Sequence, residues 1–337
     1  MATQIATWFV ADAPEEGTFF PQVGAASHLA EVQAVYWRCV AVFFASSLAV
    51  NAGARHVFYT NTQVPVVDGV DLAVLLARWE VEVVPLPVGF RLPQGSVTRW
   101  GNQFYVFDVM RRFVAEARDE RLMLLDSDCV WRSSVAPMAE AIDREGALTL
   151  PLGFDEHPEG EAINGLSRGG MARFAARHGG HELATIPYCG GEIVAATRAC
   201  TARIVEQAER LWPALVAGEP DAPREEAHLL SVIYALEGVA LGAASPYIRR
   251  MWTTFRHNTL LSADRGLAIW HLPAEKRTGF AELFARIVAA PPEADPRRDR
   301  AALGFDPAGI ERAMGFPRRR PAKFARDLAA KLREKLA

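Results

Sequence analysis

The stretch 121-RLMLLDSDCVW-131 sets four apolar residues, Leu122 to Leu125, directly before Asp126-Ser127-Asp128. A short apolar run of this kind reads as a buried strand. Two carboxylates at its mouth repel each other unless a cation lies between them. Residues i and i+2 leaving a strand point to one side, so Asp126 and Asp128 can reach a single ion that also carries phosphate oxygens. Hard oxygen ligands select Mg2+ or Mn2+. The bland alternative is an Asp pair that caps the following turn or helix.

Working outward, residues 5–10, 56–59, 81–86 and 121–125 read as short apolar strands, separated by helical stretches at 29–50, 71–79 and 103–118. That alternation predicts an α/β fold with a mainly parallel, Rossmann-like sheet flanked by helices. In such sheets ligands sit outside the carboxyl ends of the strands, where Asp126 and Asp128 fall. A strand at 147–150, a polar Gly-rich segment at 153–180 with the character of a lid, a strand at 189–195 and helices at 198–216 and 225–236 follow. The expected division is a catalytic domain over 1–280, with a nucleotide-binding half (1–130) and an acceptor or sugar half (131–280), then a Pro-rich linker and basic amphipathic tail over 281–337.

Of the 337 residues, 50% are hydrophobic and 23% charged, enough for a substantial core. The net charge of -3 divides into about +6 for residues 316–337 and about -9 for the rest, which excludes a general nucleic-acid binder. Cys39, Cys129, Cys189 and Cys200 are widely spaced and argue against a zinc cluster or a disulfide framework. No basic leader precedes the first strand, so the expectation is a cytoplasmic protein. In the tail, Phe324, Leu328, Leu332 and Leu336 recur every four residues among basic ones. Such a helix can lie on the inner membrane face or serve oligomerisation.

Three enzyme classes place D-x-D after a buried strand. A haloacid-dehalogenase-type phosphatase would carry it on the first strand, and a sugar nucleotidyltransferase would follow that strand with a Gly-rich phosphate loop, whereas this chain continues ADAPEEGTFFPQVG. The third class is a nucleotide-sugar glycosyltransferase of the GT-A fold. Here the residues are specific. RWGNQFYVFDVMRRF, with Arg99 and Asn102, resembles the segment before the D-x-D of retaining glycogenin-like and blood-group-transferase-like enzymes. YCGGEIVAATRACTARIVEQ is similar to their YYGG element, placing Tyr188, Gly190, Gly191 and Glu192 at the sugar. REEAHLLSVIY resembles their DESHLN element, with Ala227 and Leu230 departing from Ser and Asn. IWHLPAEKR resembles HxxGxxKPW, with Ala274 for Gly.

The resemblance implies a metal-dependent transferase using a nucleotide-diphosphate sugar, a UDP-sugar above all, with retention. Its metal, Mn2+ or Mg2+, would be held by Asp126, Asp128 and His271. Lys276 or Arg277 would meet the diphosphate, and Asp12, Arg99, Asn102, Ser127, Tyr188, Gly190, Gly191 and Glu192 would address the donor. Glu226, with Glu225 beside it, would face the anomeric carbon, and His228 would touch the acceptor, a glycan, lipid-linked or small-molecule compound. The rival readings are a catalytically silent nucleotide-sugar binder and a sugar nucleotidyltransferase.

Overall fold

The computed structural model describes residues 2–12, 19–20, 25–93, 101–152, 161–254 and 257–316, with positions 321, 325, 328 and 329 of the tail. Six strands form the main sheet: β1 (Thr3–Phe9), β2 (Arg55–Thr60), β3 (Glu82–Pro85), β4 (Arg121–Leu125), β6 (Ala147–Leu148) and β9 (Ile193–Thr197), in the spatial order β6-β9-β4-β1-β2-β3; β5 (Cys129–Trp131) and the paired β7 (Ala162–Ile163) and β8 (Leu166–Ser167) lie outside it. β4, β1, β2 and β3 run parallel, with Ile5 opposite both His56 and Met123. β9 is antiparallel to β4, placing Ile193 opposite Leu125.

Side chains alternate across this sheet. Ile5, Phe58, Met123 and Leu125 face one buried cluster, while Ala6, Val57, Tyr59, Leu122 and Leu124 face the other. Helices cover both faces, as an apolar central strand requires. α1 (Ala30–Leu48) is buried along most of its length, with Trp37, Phe43 and Phe44 inside, and α2 (Leu72–Arg78) and α4 (Ala136–Glu145) join the same cluster. α3 (Tyr105–Glu116) and α6 (Arg198–Val216) pack on the opposite face with α7 (Glu226–Leu236) and α5 (Arg168–Arg177) beyond them. Among the described residues, no helix is long and apolar enough to cross a membrane.

A second, three-stranded sheet joins β5 (Cys129–Trp131) to β11 (Ile269–His271) and β10 (Ile248–Arg250). His271 lies opposite Cys129 on one side and Arg250 on the other. The chain therefore passes from the main sheet to the small one through Asp126-Ser127-Asp128.

Residues 281–316, expected as linker, belong to the body instead. α8 (Gly279–Ala289) and α9 (Pro307–Met314) bring Phe280, Leu283, Phe284, Leu303, Phe305, Ile310, Met314 and Phe316 into the cluster that holds α1. Phe280, Leu283, Phe284 and Ile287 have helical spacing, and Pro307 stands at the start of α9, where a missing N–H costs nothing. The prolines mark helix ends rather than a loose connection. Most of the tail expected to form the basic amphipathic helix lies outside the described residues, as does Arg99.

Candidate functional site

After Leu125 the backbone turns sharply. Cys129 N–H donates to the Asp126 carbonyl at 3.1 Å, and Asp126 N–H donates to the Glu192 carbonyl at 3.1 Å. The turn leaves Asp128 buried and Asp126 29% exposed at its side chain. His271, the last residue of β11, brings Nε2 to 3.2 Å from Asp128 Oδ2 and 3.9 Å from Asp126 Oδ2. Among the described residues these three form the one His/Cys/Asp/Glu group able to share an ion, with ligand atoms all within 4.8 Å of one another. Adjacent ligands on an octahedral ion of the Mg2+ kind are about 3 Å apart, so the donor set fits a hard divalent cation with small movements.

Lys276 complicates the picture. Its ammonium contacts Asp128 Oδ2 directly and lies 5.5 Å from the centre of the Tyr36 ring. Burial alone would raise the Asp128 pKa, but Lys276 and then His271 reverse this and hold it far below the usual carboxylate range. Burial would lower His271, yet Asp128 and Glu192 raise it to about 9. Asp126 is pushed up to about 7 by burial and then by the Asp128 charge, with His271 opposing. Its exposed edge lets solvent temper that shift.

These groups line one wall of a cavity of about 760 Å³, large enough for a cofactor-sized ligand. The start of α7 also lines this cavity. Glu226 is buried, and Gln103, its amide assigned by the bonds it can make, donates to both carboxylate oxygens at 3.2 and 2.6 Å. Burial, then Glu225 and Asp126, hold Glu226 well above the normal carboxyl range. Glu225 occupies the N-cap position without capping the helix. Its carboxylate accepts from Tyr188 Oη at 2.6 Å and from Asn164 Nδ2 at 3.1 and 2.9 Å.

The paired glycines acquire a specific reason. A Cβ on Gly190 would stand 2.0 Å from Glu192 Oε2, and one on Gly191 would stand 2.1 Å from Glu226 Oε1. Both positions make room for carboxylates. Glu192 is buried against Arg250, which donates through Nε at 2.9 Å and Nη2 at 2.6 Å. Burial would raise Glu192, but Arg250 and His271 bring it down to about 2.

Of the sequence-predicted residues, Asn102, Asp126, Ser127, Asp128, Tyr188, Gly191, Glu192, Glu225, Glu226, His271 and Lys276 all line this cavity. Asp12 sits just behind it, accepting from Ser27 Oγ at 2.6 Å and from Asn102 Nδ2 at 3.4 Å. The two candidate cations occupy different places, since Lys276 is buried in the cavity wall and Arg277 is exposed outside it. His228 is also outside the wall. Its Nδ1 accepts from Arg224 N–H at 3.4 Å and its Nε2 donates to the Ile163 carbonyl at 2.9 Å, and burial lowers its pKa to about 4. Gln103, Asn164, Arg250 and Tyr36 were not foreseen. Only Arg250 had a sequence signal, since it stands in SPYIRRMW (245–252), a stretch that resembles the SPEYLW of the blood-group-transferase-like enzymes.

No family model matches the chain, and a search of curated proteins returns no match.

Proposed function

We propose that this protein is a divalent-metal-dependent glycosyltransferase of the GT-A kind. It takes a sugar from a nucleotide-diphosphate donor, a UDP-sugar by resemblance, and passes it with retention to a glycan, lipid-linked or small-molecule acceptor. One observation carries the reading: Asp126, Asp128 and His271 converge at the carboxyl edge of a parallel sheet, on the wall of a cavity that also holds the buried carboxylate Glu226. Mn2+ or Mg2+ held by those three residues would act as Lewis acid toward the departing diphosphate.

The chain's own residues supply the rest. Lys276 adds a second positive charge for the diphosphate. Asn102, braced by Asp12, offers an amide on the donor side. Glu226 is the group positioned to stabilise positive charge at the anomeric carbon, or to attack it. The two N–H bonds from Gln103, together with the positive charge that a bound metal ion would bring, would favour its ionised form against burial and the Glu225 and Asp126 charges.

The test is donor turnover across a panel of nucleotide sugars, with and without Mn2+, in wild type and Asp128→Ala. Metal-dependent hydrolysis or transfer that the variant loses supports the proposal, and turnover untouched by Asp128→Ala removes it. NMR of the product anomer reads the stereochemistry separately. The Lys276 ammonium on Asp128 favours a second reading, a nucleotide-sugar binder without turnover, because the carboxylate is already compensated inside the protein. Thermal stabilisation by a donor that is never consumed would select that alternative.

A further inference from the structure

Glu192 is nearly inaccessible, at 1% relative exposure, and its carboxylate has two partners on adjacent strands. Arg250 on β10 grips both oxygens, and His271 on β11 brings Nδ1 to 3.3 Å from Oε1. Arg250 and His271 are direct partners in the β10–β11 ladder, so the two side chains that hold Glu192 share one rigid frame. The Glu192 carbonyl also accepts the Asp126 N–H at 3.1 Å. A single residue thus touches the backbone of one prospective metal ligand and the ring of another. Its carboxylate fits only because Gly190 has no Cβ.

We infer that Glu192, clamped by Arg250, is the positioning residue that fixes the tautomer and orientation of His271 for a divalent cation at Asp126 and Asp128. This rests on the metal-dependent reading above. With a cation seated at Asp126 and Asp128, a carboxylate at Nδ1 would keep the proton on that nitrogen and leave the Nε2 lone pair free for the ion. It also makes the imidazole a more basic ligand. An ion pair serving stability alone would be complete with the two Arg250 bonds, and the third contact, to His271, would be superfluous. Arg250 in turn keeps Glu192 charged despite its burial and keeps it from rotating toward the ion itself. Neither residue is a ligand, yet both control one.

The experiment uses the full chain and Mn2+ alone, with affinity read by calorimetry and by the electron-spin resonance of free Mn2+. Glu192→Gln preserves shape and removes charge, and its Mn2+ dissociation constant is expected to rise by roughly 10- to 100-fold, the usual effect of losing a carboxylate behind a histidine ligand. The double variant Glu192→Gln/Arg250→Gln removes both charges, so it guards against misfolding caused by an uncompensated arginine. It is expected to fold and still bind Mn2+ weakly. Nitrogen NMR of the imidazole in the Mg2+-loaded protein supplies the readout that mere stability would not move: wild type should show His271 protonated at Nδ1, and Glu192→Gln a mixture of tautomers. Variants that bind Mn2+ within about twofold of wild type, while His271→Ala binds weakly, overturn the inference and leave the metal reading standing. A wild-type chain that takes up no Mn2+ overturns both.

Discussion

Replacing Gly191 with alanine would test whether Glu226 works where it stands. The Cβ of the variant would lie 2.1 Å from Glu226 Oε1 and 2.9 Å from its Cδ. Carbon and oxygen that do not bond settle at about 3.3 Å or more, so the carboxylate must retreat by about 1 Å. The Gln103 bonds at 3.2 and 2.6 Å stretch or break with that movement. Gly191 does not occupy the left-handed region, so the alanine backbone itself is unstrained and the collision is the whole perturbation. A misplacement of about 1 Å costs on the order of 100-fold in rate, or about 2.7 kcal/mol of transition-state stabilisation. The expected result is a kcat about 100-fold lower in donor turnover, with KM little changed and a near-native melting temperature. In a Glu226→Gln background the same alanine should cost almost nothing further, because the group it displaces is already disabled. Full turnover in Gly191→Ala would refute the assignment of Glu226 to the reacting centre.

Phe284→Ala should lower unfolding free energy by about 3–5 kcal/mol in urea titrations, since the ring is buried between α8 and the α1 cluster. A chain ending at residue 280 should fail to fold, whereas one ending at 316 should show native circular dichroism and cooperative melting. His228 gives a pH dependence of defined sign. Its pKa is depressed from 6.5 to about 4, so the unfolded chain binds the proton first. The stability it contributes is complete above pH 6.5 and is lost as pH falls through 4, by about 3 kcal/mol. Urea midpoints should therefore drop between pH 7 and pH 4, and the drop should be smaller by that amount in His228→Gln. For the tail, the full chain should sediment with anionic vesicles at low salt and a chain ending at residue 316 should not. Equal sedimentation would assign the leucine stripe to packing or oligomerisation.

The parallel strands were legible because each is short, apolar and bounded by polar turns, as in Leu122 to Leu125 before Asp126. The acidic pair was legible for the same reason, since the strand end announces where a ligand would sit. His271 and Lys276 could be placed beside it only through the order of several motifs, because nothing local ties residues separated by 143 or 148 positions. Glu225 could equally have been a helix-start acid, and only the three-dimensional approach of Tyr188 and Asn164 gives its carboxylate another task. α8 was hidden by punctuation: Pro291, Pro292 and Pro296 outweighed the regular spacing of Phe280, Leu283, Phe284 and Ile287. Asn164 and Gln103 were silent in sequence because a single polar residue at a turn or helix start carries no periodic signal until its partner is known.

The seam between the two sheets also orders events in time. Asp128 leaves the ribosome 143 residues before His271, its neighbour at 3.2 Å. At roughly 5–20 residues per second, the acidic turn waits on the order of ten to thirty seconds for the strand that completes it. During that interval the nascent chain can build β1 to β4 but has neither Arg250, nor His271, nor Lys276 to offset the charges of Asp126, Asp128 and Glu192. Shortened products that end before β10 are thus left with uncompensated acids at the seam and without α8 to cover α1. Quality-control proteases would meet them as open chains, so that synthesis must pass β11 and α8 before the seam is closed.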